Sequence, residues 1–144
     1  MAARNTARKR AFQILFEGDQ RDVDVLTVLA DWIRHSRSDT RQPPVSEYTM
    51  QLVEGYAEKA TRIDDLLAQY SVGWTLDRMP VVDRNVLRLG AYELIWVDET
   101  PDAVVLDEAV QLAKEFSTDE SPAFVNGLLG RLKELKPSLR RDEA

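Results

Sequence analysis

Cysteine is absent from the 144-residue chain. That excludes disulfides, thiolate chemistry and zinc sites built on cysteine. Histidine occurs once, at position 35. His35 sits beside a polar loop with no nucleophile motif near it, and reads as an exposed side chain at a helix end rather than a member of a triad. No apolar run approaches the ~20 residues that a membrane span needs. The charged N-terminus lacks the apolar segment of a signal peptide, so the expected location is cytoplasmic and no membrane partner is expected. Glycines are few, and Gly127-Leu-Leu-Gly130 lacks the Gly-Lys-Ser/Thr ending of a phosphate loop. Set in an amphipathic helix, that pair is expected to serve close helix contact. Carboxylates are plentiful, but spacing singles out no catalytic pair. The expectation is a protein that is not an enzyme, with no catalytic residues, no metal and no cofactor.

What is present is a globular balance, 44% hydrophobic and 31% charged, in a chain long enough for one domain with a core. The net charge of −6 is unevenly spread. Residues 1–16 hold Arg4, Arg8, Lys9 and Arg10 and no acid, leaving 15 basic and 25 acidic residues in the remainder. A basic arm on an acidic body suits two different partners.

Helical periodicity dominates the chain. Residues 7–18 put Ala7, Ala11, Ile14 and Leu15 on one face. A second helix is expected from Val23 to Arg37, a loop over Ser36–Pro44, and a longer helix from about Ser46 to Tyr70. Gly73-Trp74 and Met79-Pro80 read as a connection. Val81 to Val97 is apolar almost all round, which suits the middle of a bundle. Thr100-Pro101 and Ser121-Pro122 are start signals for two further helices, the last one stopped by Pro137. The fold class is therefore all-α, with about six helices in a single domain spanning 1–144. Its basic N-terminal arm covers 1–10 and its frayed tail 138–144, and its two halves divide near residues 71–80.

On a helical wheel Arg8, Phe12 and Phe16 form an i, i+4, i+8 row, with Lys9 beside it. Arg4 precedes the first full turn as a flexible arm. Cations bordering exposed rings suit RNA, because Lys and Arg neutralise phosphates while rings stack on unpaired bases. The alternative on the same residues is that both phenylalanines are core and the cations solvate the helix end.

Four blocks carry a resemblance over nearly the whole chain. They are Ala7-Arg-Lys-Arg-Ala-Phe-Gln-Ile-Leu15, Arg84-Asn-Val-Leu-Arg-Leu-Gly-Ala-Tyr-Glu-Leu94, Asp107-Glu-Ala-Val-Gln-Leu-Ala-Lys-Glu-Phe116 and Phe124-Val-Asn-Gly-Leu-Leu129. In this order and spacing they resemble the NusB family of transcription antitermination factors. The resemblance implies two roughly perpendicular three-helix bundles. It implies binding of boxA RNA from ribosomal RNA operons, together with the small-subunit ribosomal protein NusE, inside an RNA polymerase complex that resists termination. It places the RNA-binding residues at Arg4, Arg8, Lys9, Arg10, Phe16, Tyr70, Glu120 and Phe124. Phe16 stands where the family often has tyrosine, and Asn5 and Thr6 interrupt the arginine-rich run. Asp83 matches an acidic position that contacts the protein partner.

Two alternatives accompany this reading. One is a stand-alone relative of the RNA-binding domain of ribosomal RNA cytosine methyltransferases. Methyl transfer is not expected of it, because no Gly-rich loop follows a strand and no cofactor-binding α/β domain is present. The other is a structural or interaction protein that forms a homodimer through its first helix.

Overall fold

The computed structural model describes residues 2–143; Met1 and Ala144 lie outside the described residues. Among these residues there are six α-helices and no strand: α1 (Ala2–Arg21), α2 (Val25–Ser38), α3 (Glu47–Tyr70), α4 (Val81–Trp96), α5 (Asp102–Phe116) and α6 (Ser121–Glu143). A short 3-10 turn at Leu76–Arg78 lies in the connection between α3 and α4. No helix of the described residues is long and apolar enough to cross a membrane.

The chain divides into two compact units, the first ending at Glu58 and the second starting at Lys59. The division therefore falls inside α3, not in the expected connection at 71–80. The cause is the length of α3, whose apolar stripe supplies buried residues to both units: Leu52, Val53 and Tyr56 to the first, Ile63, Leu66 and Leu67 to the second.

In the first unit, α1 packs on α2, and Ala7, Ala11, Phe12, Ile14 and Leu15 are buried with Val28 and Leu29. The junction between these helices is a Schellman motif. Asp22 takes the left-handed conformation (φ 54°), and the Val23 amide donates to the Gly18 carbonyl at 2.9 Å. Glycine is required at 18, since a Cβ there would lie 2.8 Å from the Val23 oxygen. The side chain of Asp24 then caps α2 by accepting from the Leu26 amide. At the start of α3, the Ser46 hydroxyl accepts from the Thr49 amide, and the buried Thr49 hydroxyl donates to the Ala7 carbonyl of α1.

In the second unit, α4, α5 and α6 pack pairwise. Helix α4 is the most buried element, covered on every face except a half-exposed row formed by Arg84, Arg88, Tyr92 and Trp96. This confirms the expectation from its near-continuous apolar composition. Gly90 is where α4 needs a missing side chain, because a Cβ there would meet Leu129 Cδ1 at 2.8 Å. The Arg88 guanidinium makes a two-pronged bond to the Asp64 carboxylate, at 2.9 and 3.0 Å.

Two terminal expectations are corrected. The N-terminal stretch is not a flexible arm; α1 is helical from Ala2. The tail is not frayed at 138, because α6 continues through Pro137 to Glu143. Proline removes one backbone donor and crowds the preceding turn, but tertiary contacts beyond it outweigh that cost. Leu139 is only 5% exposed. Arg140 donates to the Ile95 carbonyl at 3.0 Å and to the Asp98 carboxylate at 2.6 Å. Lys136 bonds Asp102 at 2.8 Å. The Arg140 guanidinium holds the Asp98 carboxyl below the usual carboxylate range.

Two outcomes are expected of this tail. Leu139→Ala should lower unfolding free energy by about 2 kcal/mol, read from urea denaturation with unchanged helix content. A carboxyl whose pKa is depressed in the folded state stabilises above its unfolded value and loses that contribution as pH falls through the folded one. Asp98→Asn should therefore shift the urea midpoint at pH 7, by an amount that shrinks as pH falls below the ordinary carboxylate value.

Candidate nucleic-acid interface

Arg4, Arg8 and Arg10 of α1 lie in the first unit, each beside an aromatic ring. The Arg4 guanidinium lies 4.4 Å from the centre of the Tyr48 ring, and Arg8 lies 5.7 Å from the same ring. Arg10 lies 5.4 Å from the Trp32 ring and donates to the Pro44 carbonyl at 2.9 Å. Partial burial lowers the Arg10 pKa from its ordinary value, yet an arginine stays cationic at neutral pH. Each such cation–ring pair is worth about 0.5–1 kcal/mol at a wet site, enough to bias the side chain and little enough to be exchanged. Lys9 is half-buried.

The row Arg8–Phe12–Phe16 exists on the helix, but it is not an exposed stacking row. Phe12 is 2% exposed and belongs to the core. Phe16 is half-buried, its ring tilted against Phe12 with centroids 6.0 Å apart. Arg8 is itself 5% exposed. The expectation of a fully open cationic face therefore narrows to Arg4, Lys9 and Arg10, with Arg8 packed beneath them against Tyr48. Sequence reasoning missed Tyr48 and Trp32 as ring partners, since a contact between α1 and residues 32–48 leaves no local trace.

The second unit holds a groove of about 350 Å³ lined by Tyr70, Val72, Ala123, Phe124, Gly127, Leu128 and Arg131. Tyr70 and Phe124, placed on RNA separately by resemblance, are thus brought to one site. Phe124, Gly127, Leu128 and Arg131 recur at i, i+3, i+4 and i+7, so they share one face of α6. Tyr70 ends α3. The loop after it is fixed by the Ser71 hydroxyl, which donates to the Trp74 carbonyl at 2.6 Å. Trp74 meets Phe124 edge-on at 5.0 Å, orienting that ring. The Arg131 guanidinium lies 5.9 Å from the centre of the Tyr70 ring. Glu120 is exposed in the turn before α6. The groove thus offers ring faces, a cation and an apolar floor, the chemistry that holds an unpaired base and its phosphate.

Gly127 and Gly130 do not serve helix contact. A Cβ on either would have no neighbouring atom within 4 Å. The glycine that does serve it is Gly90, on the opposing helix.

Asp83 is also corrected. It is fully buried, and both carboxylate oxygens are taken: Ser117 Oγ donates to one and Ser121 Oγ, at 2.8 Å, to the other. With the Ser121 proton committed to Asp83, the Thr118 hydroxyl 2.9 Å away donates to Ser121. A side chain so enclosed is not available to a protein partner. It ties the first turn of α4 to the end of α5 and the start of α6. Among the described residues no cluster of His, Cys, Asp or Glu is arranged to hold a metal ion.

The family model described as NusB matches residues 5–134. The transcription antitermination protein NusB of Streptomyces avermitilis is 90% identical over 144 residues, all of both chains. The structure is similar to that of Thermotoga maritima NusB, with a TM-score of 0.81 and 34% identity over 96% of each chain. It is also similar to a chain in a crystal structure of the antitermination factors NusB and NusE with double-stranded RNA. There the TM-score is 0.79 and the identity 27%, over 93% of this chain and 98% of that one. An all-helical fold, a cationic first helix and this agreement along the whole sequence lead to one statement. The chain belongs to the NusB family.

Removing the Asp83 carboxylate takes the acceptor from the buried Ser121 hydroxyl and the part-buried Ser117 hydroxyl and leaves a cavity. Asp83→Ala should cost about 3 kcal/mol of unfolding free energy and Ser117→Ala about 1 kcal/mol, both measured by urea denaturation.

Proposed function

We propose that this protein is a non-enzymatic, cytoplasmic RNA-binding adaptor of transcription antitermination. It takes boxA RNA of ribosomal RNA operons jointly with the ribosomal protein NusE, and so helps RNA polymerase resist termination. The observation that carries this reading is membership of the NusB family over the full length of the chain. A related NusB chain has been crystallised with NusE and RNA, which supports both partners. The acidic balance of residues 17–144 also favours a basic ribosomal protein, since opposite charge speeds encounter.

In this reading Arg4, Lys9 and Arg10 meet RNA phosphates after leaving their rings or turning on them. Arg8 holds the register of Tyr48 beneath them. Phe16 lends its half-buried ring edge. Tyr70 and Phe124 stack on a base in the groove, and Glu120 accepts from base amino groups at its rim. Asp83 acts on the partner side indirectly, by fixing the helix ends around it.

The test is a titration of boxA-type RNA at several salt concentrations against wild type, Arg4→Glu and Lys9→Glu. Each reversal should weaken binding about tenfold and flatten the salt dependence, which reports the number of phosphates neutralised. Wild-type affinity and salt slope in both variants would remove the α1 site from the reading.

A further inference from the structure

Helix α6 carries two glycines three residues apart in its interior, where glycine is the least favourable residue after proline. Neither takes a positive φ. Neither is needed for packing, because a Cβ at Gly127 or at Gly130 would find only open space. The contrast with Gly90 is direct: there a Cβ would collide with Leu129, itself held in the core. So the fold explains Gly90 and does not explain the two glycines of α6.

The two differ in position. Gly127 is exposed and lines the groove, between Phe124 one turn before it and Arg131 one turn after it. Gly130 is not part of the lining. A residue that no contact within the chain requires to be bare, placed between a ring and a guanidinium in a groove, leaves room for something from outside. The groove volume of about 350 Å³ falls in the small-ligand range of about 300–1,000 Å³. The Arg131 side chain is 54% exposed, and its contacts, a loose ion pair at 3.5 Å with Glu134 and the Tyr70 ring at 5.9 Å, leave its guanidinium able to turn toward a phosphate.

We infer that Gly127 is an RNA contact: one unpaired base lies flat on the bare backbone of α6 at Gly127, between Tyr70 and Phe124, with its phosphate on Arg131. This rests on the groove being an RNA site, as proposed above. The thickness of the slot then depends on the absence of a single methyl group. A base stacked between rings tolerates any sequence, but it does not tolerate a raised floor. Gly127 therefore acts as a specificity element for a planar ligand, at a cost in helix stability.

The experiment compares Gly127→Ala, Gly130→Ala and Phe124→Leu, using the RNA of the preceding titration. Thermal unfolding of each free protein is measured alongside. Both alanine variants should raise Tm, by roughly 3 °C, through helix propensity alone. Gly127→Ala should nevertheless bind RNA about tenfold more weakly, while Gly130→Ala binds as wild type. A more stable protein with weaker binding cannot be attributed to damaged folding. If Phe124→Leu loses affinity and Gly127→Ala does not, the groove reading stands and the role of Gly127 is overturned. If both bind as wild type, the groove itself is not the RNA site and the inference falls with it. If Gly127→Ala keeps RNA but loses a ribosomal protein partner, the occupant is a protein and the inference is likewise overturned. A Gly127→Ala protein that melts below wild type would show that the glycine serves the fold after all.

Discussion

A carboxylate moved out of water must be given donors or it must give up its charge. Asp83 obeys that constraint with two serine hydroxyls, and much of the second unit follows from it. The donors come from the C-cap of α5 and the first residue of α6. Satisfying one buried charge therefore fixes three helix ends at once. The first turn of α6, set in this way, carries Phe124, and Phe124 forms one wall of the groove. An interior polar knot thus determines the position of a surface ring. This is the kind of support from behind that a binding site needs to hold its geometry.

The two candidate RNA regions are built on different physics. On α1 the guanidinium groups lie beside rings, Arg4 and the buried Arg8 at Tyr48 and Arg10 at Trp32. Such contacts suit a polyanion whose exact position along the helix is not dictated. On α6 the rings are locked, with Trp74 against Phe124 and the loop held by Ser71. That arrangement suits one base in one place. Phosphate contacts supply attraction and register, and base contacts supply discrimination.

Much of this was legible in the sequence, and the failures are instructive. Helix positions followed from 3.6-residue periodicity, and the start of α6 at Ser121 followed from its Ser-Pro signal. The central place of α4 followed from its apolar composition. Burial of individual polar residues did not follow. Arg8 disappears under Tyr48, 40 positions away in the chain, and Asp83 under hydroxyls 34 and 38 positions away. Local pattern says nothing of such distant neighbours. Proline at 137 read as a stop because its local cost is visible, while the burial of Leu139 and the bonds of Arg140 that offset it are not. The α6 glycines read as packing residues because a helix wheel shows a face without showing whether anything lies against it.

The Tyr48 ring has one more consequence, which concerns time rather than affinity. A free arginine explores many rotamers, and fixing it on a ligand forfeits up to about 2 kcal/mol of that freedom. Arg4 has surrendered part of it already, to the ring. Its capture by a phosphate becomes a short swing between two shallow wells rather than a search. Chains built this way should form their first productive contact early in an encounter and release it as readily.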